Sequence, residues 1–130
     1  MQRTFLLSDA NDVTNIGYMS ILARVYRNQR RYAEAEPLYQ RALSIREQQV
    51  GPEHPDTANS LNSLALLYQD QRRYAGAEPL YQQALSVCEQ QLRPAHPDTL
   101  MIRGNYTALL RAMRRDTGAA GHEAENKPSS

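Results

Sequence analysis

One phrase occurs twice in the chain: residues 31–40 read RYAEAEPLYQ, and residues 73–82 read RYAGAEPLYQ. The offset between the copies is 42 residues, and the phrase HPDT recurs at the same offset, at residues 54–57 and 96–99. From residue 22 to residue 57, 25 of 36 positions match the residue 42 places further on. A match of this extent at a fixed period is the sequence signature of a repeat architecture.

Each repeat predicts two amphipathic helices. In the second repeat, Leu61, Leu64, Ala65 and Tyr68 follow the i, i+3, i+4, i+7 spacing of one helix face, which predicts a helix over residues 57–73. A second helix is predicted over residues 75–91, and its apolar stripe consists of Ala77, Leu80, Tyr81, Ala84 and Val87. The equivalent stripe of the first repeat consists of Ala35, Leu38, Tyr39, Ala42 and Ile45.

The predicted helix ends carry their own signals. The sequence 54–56, His-Pro-Asp, predicts a helix start, where Asp56 is expected to cap a free backbone N–H or to meet the positive end of the helix dipole. Arginine pairs at 30–31, 72–73 and 114–115 lie at expected helix C-termini, where positive charge is favourable. Pro37 and Pro79 fall inside the predicted second helices, which predicts either a slight kink or a helix that begins later.

The repeats divide the chain into three parts. Residues 14–115 form the predicted repeat domain, with repeat one at 16–57, repeat two at 58–99 and an incomplete repeat three at 100–115. Residues 1–13 have no repeat partner and are predicted to be an N-terminal arm or cap. Beyond residue 115, glycine and small residues replace the apolar stripe, so residues 116–130 are predicted to be a flexible C-terminal tail. The predicted fold class is all-α, with about two and a half repeats.

Residue types at fixed positions distinguish among repeat families of this length, since HEAT and armadillo repeats have periods of about 42 residues too. Leu64, Ala65, Tyr68, Ala77 and Tyr81 supply the apolar, small and aromatic residues found at tetratricopeptide positions. The chain resembles the tetratricopeptide repeat (TPR) family over residues 15–115, and its 42-residue period is similar to that of kinesin-light-chain-type repeats. The resemblance implies a right-handed α-solenoid of antiparallel helix pairs that binds a protein or peptide and is not an enzyme.

The resemblance also implies where a partner binds. In such arrays the first helices of successive units line a concave groove. The positions that the resemblance assigns to this peptide-binding groove are Ser20, Arg24, Arg27, Asn28, Asn59, Asn62, Leu66, Gln69, Asp70, Met101, Ala108 and Arg111. Among them, Asn62 is expected to hydrogen-bond the backbone amide of a ligand.

Charge is distributed unevenly, although the formal net charge is only +1. The predicted first helices carry ten arginines and one aspartate, whereas the predicted second helices carry two arginines and five glutamates. A basic groove suits an extended acidic peptide or a C-terminal carboxylate. Charge reversal of both Arg24 and Arg111 is expected to abolish binding to such a partner without unfolding the chain. The alternative is that these arginines are solvated surface residues.

Other functions find little support in the residue patterns. No phosphate-binding loop, Ser/His/Asp order or HExxH motif occurs, and no cofactor is expected. His54 and His96 lie one repeat apart, a poor arrangement for shared metal ligation, and the only cysteine, Cys88, is expected to be a half-buried, inert thiol. No apolar run is long enough to span a membrane and no secretory signal is recognisable, which predicts a cytoplasmic location.

Three alternatives to a peptide-binding adaptor stay open. The first helix pair has an exposed apolar edge, which predicts a self-associating structural unit, because stacking two chains end to end buries that edge. A second alternative is that the chain is a fragment of a longer array, since at least three repeats are normally needed for stability. RNA binding by the arginine-rich layer is a third, and the near-neutral net charge disfavours a nucleic-acid partner.

Overall fold

Five helices make up the part of the chain that the structure describes. The computed structural model describes the backbone of residues 13–129 and the side chains of residues 15–116. The helices are α1 (Val13–Asn28), α2 (Tyr32–Gln49), α3 (Pro55–Asp70), α4 (Tyr74–Gln91) and α5 (Pro97–Ser129). No strand occurs within residues 13–129, and the all-α repeat fold predicted from the sequence is confirmed.

The helices pack in their order along the chain. Turns of three residues, 29–31 and 71–73, separate α1 from α2 and α3 from α4, so the members of each pair are antiparallel. Between the pairs, α2 packs against α3 and α4 packs against α5, and α3 also contacts α5. The pairs therefore form one stack with α3 at its centre.

Small and aromatic residues form the contacts between units. Ala65, Ala77, Tyr81 and Leu109 are buried together where α3, α4 and α5 meet. The small alanine side chains let two helix backbones approach closely. The Tyr81 ring fills the space that remains beside them. The apolar stripes predicted for α2, α3 and α4 are buried or half-buried throughout.

The expectation of a half-buried Cys88 is wrong, because the residue is fully buried. Cys88 is 0% exposed and packs in a cluster with Ala58, Leu61 and Ile102. Burial raises the pKa of the Cys88 thiol, and nearby acidic side chains act in the same direction. The thiol is therefore held in its protonated, poorly nucleophilic form.

The HPDT phrase builds the starts of both α3 and α5. His54 is the N-cap of α3, and its Nδ1 accepts a hydrogen bond from the backbone N–H of Asp56 at 3.0 Å. His96 Nδ1 accepts from the backbone N–H of Asp98 at 3.0 Å in the same way. Of the two roles expected for Asp56, the capping role is filled by His54. Asp56 lies in the first turn of α3, where its charge meets the positive end of the helix dipole.

The threonine that ends the phrase joins each helix to the preceding loop. Thr57 is fully buried, and its hydroxyl donates to the carbonyl of Gly51 at 2.6 Å. Thr99 is also fully buried and donates to the carbonyl of Arg93 at 3.3 Å. Gly51 itself has a φ of 95°, a conformation that glycine adopts at no steric cost. These bonds set the path from the second helix of one unit to the first helix of the next.

The turns within units have the same backbone in both repeats. Arg30 and Arg72 have φ values of 62° and 60°. This left-handed region costs a non-glycine residue about 1–2 kcal/mol. In each turn the N–H of the following arginine donates back to the carbonyl of Tyr26 or Tyr68 at 2.8 Å, the long bond of a Schellman motif. Arg30 and Arg72 therefore lie beyond the last helical turn in which they were predicted.

The second arginine of each turn covers a tyrosine ring. The Arg31 guanidinium lies 4.6 Å from the ring centroid of Tyr26, and that of Arg73 lies 4.1 Å from the centroid of Tyr68. Both are cation–π distances. Arg73 also forms an ion pair with Glu36 at 3.1 Å. These two exposed arginines are engaged in contacts that stabilise the turns.

Pro37 and Pro79 lie inside helices. Since α2 begins at Tyr32 and α4 at Tyr74, each helix starts before its proline, and the predicted later start is wrong. Proline has no N–H to donate, so each helix lacks one backbone hydrogen bond in its first half. The slight kink, which was the other expected outcome, stays a prediction.

In the second and third units, a tyrosine hydrogen-bonds to the preceding unit, but the two tyrosines do not occupy equivalent repeat positions. The Tyr68 hydroxyl donates to Glu36 at 3.0 Å and accepts from Gln40 at 3.3 Å. The residue 42 places after Tyr68 is Leu110, yet Tyr106, one helical turn earlier, makes the same two bonds. The partners of Tyr106 are the repeat equivalents Glu78 and Gln82, each at 3.0 Å.

The third unit continues further than its pattern predicts. α5 runs from Pro97 to Ser129, past residue 115, where the apolar stripe fades. The backbone over 116–129 is therefore helical, and the flexibility predicted for this tail stays a prediction. The predicted N-terminal arm or cap lies outside the described residues, except for Val13, the first residue of α1.

Candidate functional site

A groove crosses the first helices of the units. Its volume is about 340 Å³, and its walls come from α1, α3 and α5, with one residue of α2. The residues that line the groove are Ser20, Ile21, Arg24, Arg27, Tyr39, Asn59, Asn62, Ser63, Leu66 and Met101. Seven of the twelve predicted positions thus lie together, while their role in binding stays a prediction.

Three lining residues were missed in the sequence. Ile21 and Ser63 occupy equivalent positions one repeat apart. Had this repeat position been assigned to the groove, both residues would have been predicted together. Tyr39 belongs to α2, and its ring is 4% exposed. Only the packing of α2 beneath α1 and α3 brings it to the groove.

A second depression, hereafter the edge depression, adjoins the groove. Its volume is about 480 Å³, and it is lined by Arg27, Asn28, Arg30, Tyr32, Asp70 and Arg72. Two predicted groove positions, Asn28 and Asp70, line this depression instead of the groove. Arg27 lines both depressions.

The last three predicted positions lie outside both depressions. Gln69 accepts a hydrogen bond from the Tyr81 hydroxyl at 2.8 Å, so it supports the contact between α3 and α4. Ala108 and Arg111 are exposed on α5 and line neither the groove nor the edge depression. The structure therefore does not bring Arg24 and Arg111 into one depression.

The two arginines of the groove differ in their electrostatic environment. Arg27 forms an ion pair with Asp70, with 3.3 Å between Nε and Oδ2, and its side chain is 21% exposed. Arg24 is exposed and has no ion pair with any residue the structure describes. Arg24 is therefore the cation of the groove that is free to meet a ligand.

Two asparagines line the centre of the groove. Asn62 is 4% exposed, and its Oδ1 accepts a hydrogen bond from Asn105 Nδ2 at 3.0 Å. Asn62 Nδ2 has no hydrogen bond to the described residues, which leaves it as a donor. Asn59 donates to Asp98 at 3.3 Å, while its Oδ1 is buried without a partner in the described part of the chain. An unsatisfied buried acceptor costs about 1–3 kcal/mol.

The floor and the sides of the groove are less polar. Burial raises the pKa of the Tyr39 hydroxyl, against the opposing effect of the positive charges on Arg27 and Arg24. The charges of both arginines therefore reach the groove floor. Leu66 on α3 and Met101 on α5 contribute apolar surface. A free cation, an amide donor and apolar side chains thus share one depression.

Metal binding and membrane insertion are the other kinds of site that the described residues bear on. Over the described residues, no three or more His, Cys, Asp or Glu side chains are grouped so as to hold a metal ion. None of the helices there has the length and apolar character that crossing a bilayer requires. The ring nitrogens of His54 and His96 instead accept hydrogen bonds at helix starts.

The repeat pattern identifies the family. The sequence matches the tetratricopeptide repeat family over residues 15–90 and 61–123, and the chain belongs to that family. Repeats of this family generally mediate protein–protein interaction or scaffolding. No curated protein matches the sequence.

Solved structures with a similar fold are kinesin light chain-like. A crystal structure of a Podosopora anserina protein, described as a kinesin light chain with nearly identical TPR-like repeats, has a TM-score of 0.72 and 25% identity, over 78% of this chain and 48% of that chain. BtubC (BKLC) from P. vanneervenii has a TM-score of 0.73 and 19% identity, over 92% of this chain and 48% of that chain. The predicted kinesin-light-chain-type resemblance is confirmed, and the chain spans about half the length of these solved chains.

Proposed function

We propose that the groove binds an extended acidic segment of a partner protein, and that the chain is an adaptor or scaffold module. The proposal depends on one observation: Arg24, Asn62 and the apolar Leu66 and Met101 line the same depression. The arginine pairs with a carboxylate, the amide holds a backbone carbonyl, and the apolar residues cover the ligand's side chains. Ligand sites combine apolar walls with a few placed polar groups in this way.

The ion pair of Arg27 refines the charge hypothesis. A carboxylate that approaches Arg27 competes with Asp70, which already lies 3.3 Å from the guanidinium. Arg24 has no such competitor among the described residues. Arg24 is therefore proposed as the principal cation for the ligand, and Arg27 as a secondary one.

A titration with a labelled oligo-glutamate peptide tests the groove, with an oligo-glutamine peptide of equal length as the uncharged control. We expect Arg24→Glu to weaken oligo-glutamate binding by about tenfold or more, because a charge-assisted bond is lost and replaced by repulsion. Arg111→Glu makes the same change of charge outside the groove and is the matched control. An equal loss in both variants, or none in Arg24→Glu, contradicts the proposal.

Asp70→Asn tests the same site by a gain of affinity. The substitution removes the carboxylate that pairs with Arg27 and leaves a similar side chain in its place. Binding of oligo-glutamate is expected to tighten several-fold and to depend more steeply on salt. A gain cannot result from unfolding, and unchanged affinity shows that Arg27 does not meet the ligand.

We also propose that two copies of the chain associate through α1. Tyr18, Ile21 and Val25 lie on one face of α1 and are 65%, 57% and 43% exposed. The repeat equivalents of Val25 are Leu67 and Leu109, which are both 0% exposed. The face carries no charged side chain, so two copies meet there without like-charge repulsion.

Light scattering across a range of concentrations tests this second proposal. The chain is expected to dimerise as its concentration rises, and Val25→Glu is expected to be a monomer throughout. Val50→Glu makes the same change at another exposed valine, 38% exposed at the end of α2, and is expected to dimerise normally. A wild-type chain that is monomeric at every concentration overturns self-association and leaves the groove proposal untouched.

A further inference from the structure

The edge depression is a basic surface beside the groove. Three of its six lining residues are arginines, and Asp70 is the one acidic residue among the six. Its lining comes from the ends of α1 and α3, from the turns that follow them and from Tyr32, the first residue of α2. Arg27 lines both depressions, so the edge depression lies next to the groove.

Two of the arginines occupy a backbone conformation that does not suit arginine. Arg30 and Arg72 hold equivalent positions in consecutive repeats, with φ values of 62° and 60°. Glycine or asparagine is usual at this position after a helix, because the left-handed region crowds other side chains. Strain of this kind that persists at a surface position is a reason to look for a function of the side chain.

The arginines of the turns differ in whether the protein already engages their side chains. Arg31 donates from Nε to Glu34 at 2.9 Å and covers the Tyr26 ring, so it is engaged in its turn. Arg30, by contrast, is exposed and has no ion pair among the described residues. Arg72 lies 3.7 Å from Asp116 with its side chain 77% exposed, an arrangement that contributes little.

We infer that the edge depression holds acidic side chains of the segment bound in the groove, with their carboxylates between Arg30 and Arg72. This inference rests on the proposed function and adds a second subsite to it. The planar guanidinium makes two parallel bonds to a carboxylate, which suits arginine and not lysine to this task. The partner is thus a protein segment with a run of aspartate or glutamate at the end that leaves the groove past Arg27.

The test uses the double variant Arg30→Gly with Arg72→Gly. Glycine adopts the left-handed conformation without strain, so the melting temperature is expected to stay the same or to rise. Oligo-glutamate affinity is expected to fall by about tenfold or more, with a shallower dependence on salt. Arg41→Gln is the matched control, because residue 41 is an exposed arginine of α2 whose repeat equivalent is Gln83.

A second double variant, Arg30→Asn with Arg72→Asn, keeps a side chain that tolerates the turn and is expected to give the same loss of affinity. If both double variants fold and bind oligo-glutamate like the wild type, the inference is overturned. Should Arg24→Glu then still weaken binding, the groove proposal stands alone. If only the double variants weaken binding, the edge depression binds acidic side chains without the groove, so the groove proposal fails and the inference of a second subsite for a groove-bound segment fails with it.

Discussion

α1 and α3 are the first helices of two units with the same repeat pattern, yet they are buried to different extents. Leu67 on α3 is 0% exposed and clusters with Ala35 and Tyr39 of the preceding helix. Its equivalent on α1, Val25, is 43% exposed. An apolar residue occurs at both positions, so the neighbouring helices, and not the motif, decide whether it is buried. The place of a unit in the stack, more than its motif, determines what each residue contributes.

The pair Leu67→Ala and Val25→Ala measures this difference most directly. Leu67→Ala is expected to lower the free energy of unfolding by about 2–5 kcal/mol, as for a truncated buried leucine. Val25→Ala is expected to lower it by less than about 1 kcal/mol, since the side chain is largely solvated. Urea unfolding followed by circular dichroism gives both values. Equal losses would mean that α1 and α3 are covered alike, which breaks the comparison.

The helix caps extend the comparison to the third unit. His54 and His96 accept the same backbone hydrogen bond at the starts of α3 and α5. We expect His54→Ala and His96→Ala each to lower the free energy of unfolding by about 1 kcal/mol, the usual effect of losing an N-cap acceptor. His54→Asn, which supplies another good cap, is expected to retain most of the stability. A loss at His54 with none at His96 would show that the third unit contributes little to cooperative unfolding.

Tyr68 and Tyr106 allow a comparison of how strongly the second and third units are each bonded to the preceding unit. Tyr68→Phe and Tyr106→Phe each remove a hydroxyl that bonds to a glutamate of the preceding unit at 3.0 Å. Each is expected to cost about 0.5–1.5 kcal/mol in thermal or urea unfolding. Leu110→Ala is the control, because Leu110 occupies the repeat position of Tyr68 and is 39% exposed. A larger effect at Leu110 than at Tyr106 would contradict the shift of the link by one turn.

Cys88 sharpens the comparison between the first two units, since its equivalent in unit one is Arg46. Arg46 is half-buried and pairs with Asp56 at 3.3 Å, whereas the Cys88 thiol is buried with a raised pKa. Alkylation of Cys88 near neutral pH is therefore expected to be slow in the folded chain and to become fast in urea. Equally fast alkylation in both states would show that the thiol is accessible.

The raised pKa of the Cys88 thiol predicts how the stability of the fold changes with pH. In the unfolded chain the thiol ionises around its ordinary pKa of about 8.5. In the folded chain burial raises the pKa, so the thiol loses its proton only at higher pH. Stability from this group is therefore complete below that pH and declines as the pH rises above it. Cys88→Ala is expected to flatten this decline in urea unfolding measured at several pH values.

Local patterns predicted much of this molecule. The period of 42 residues, the helix pairs, and the buried stripes through Leu61, Tyr81 and Val87 all follow from the sequence. Seven groove positions inferred from the resemblance also meet in one depression. These features are predictable because a stripe on a helix depends on residues three and four places apart along one chain.

Other features depend on neighbours that the sequence does not name. The Arg27–Asp70 pair joins residues of two different units, and Val25 is exposed while its repeat equivalent Leu67 is buried. The cap formed by His54, instead of Asp56, and the full burial of Cys88 were likewise not predicted. The ion pair and the burial of these residues depend on the position of another helix, and no spacing along one helix contains that information. The His54 cap is a local contact between residues two apart, and the direction of the His54 side chain decides it.

The sequence by itself determined that the chain folds as stacked TPR helix pairs and which face of each helix is apolar, because both depend on local periodicity. Only the tertiary structure decided which copy of a repeated residue is buried and which arginine is left free, Arg24 rather than Arg27. Burial and charge pairing are properties of the space between helices, and identical motifs acquire different neighbours at different places in a stack.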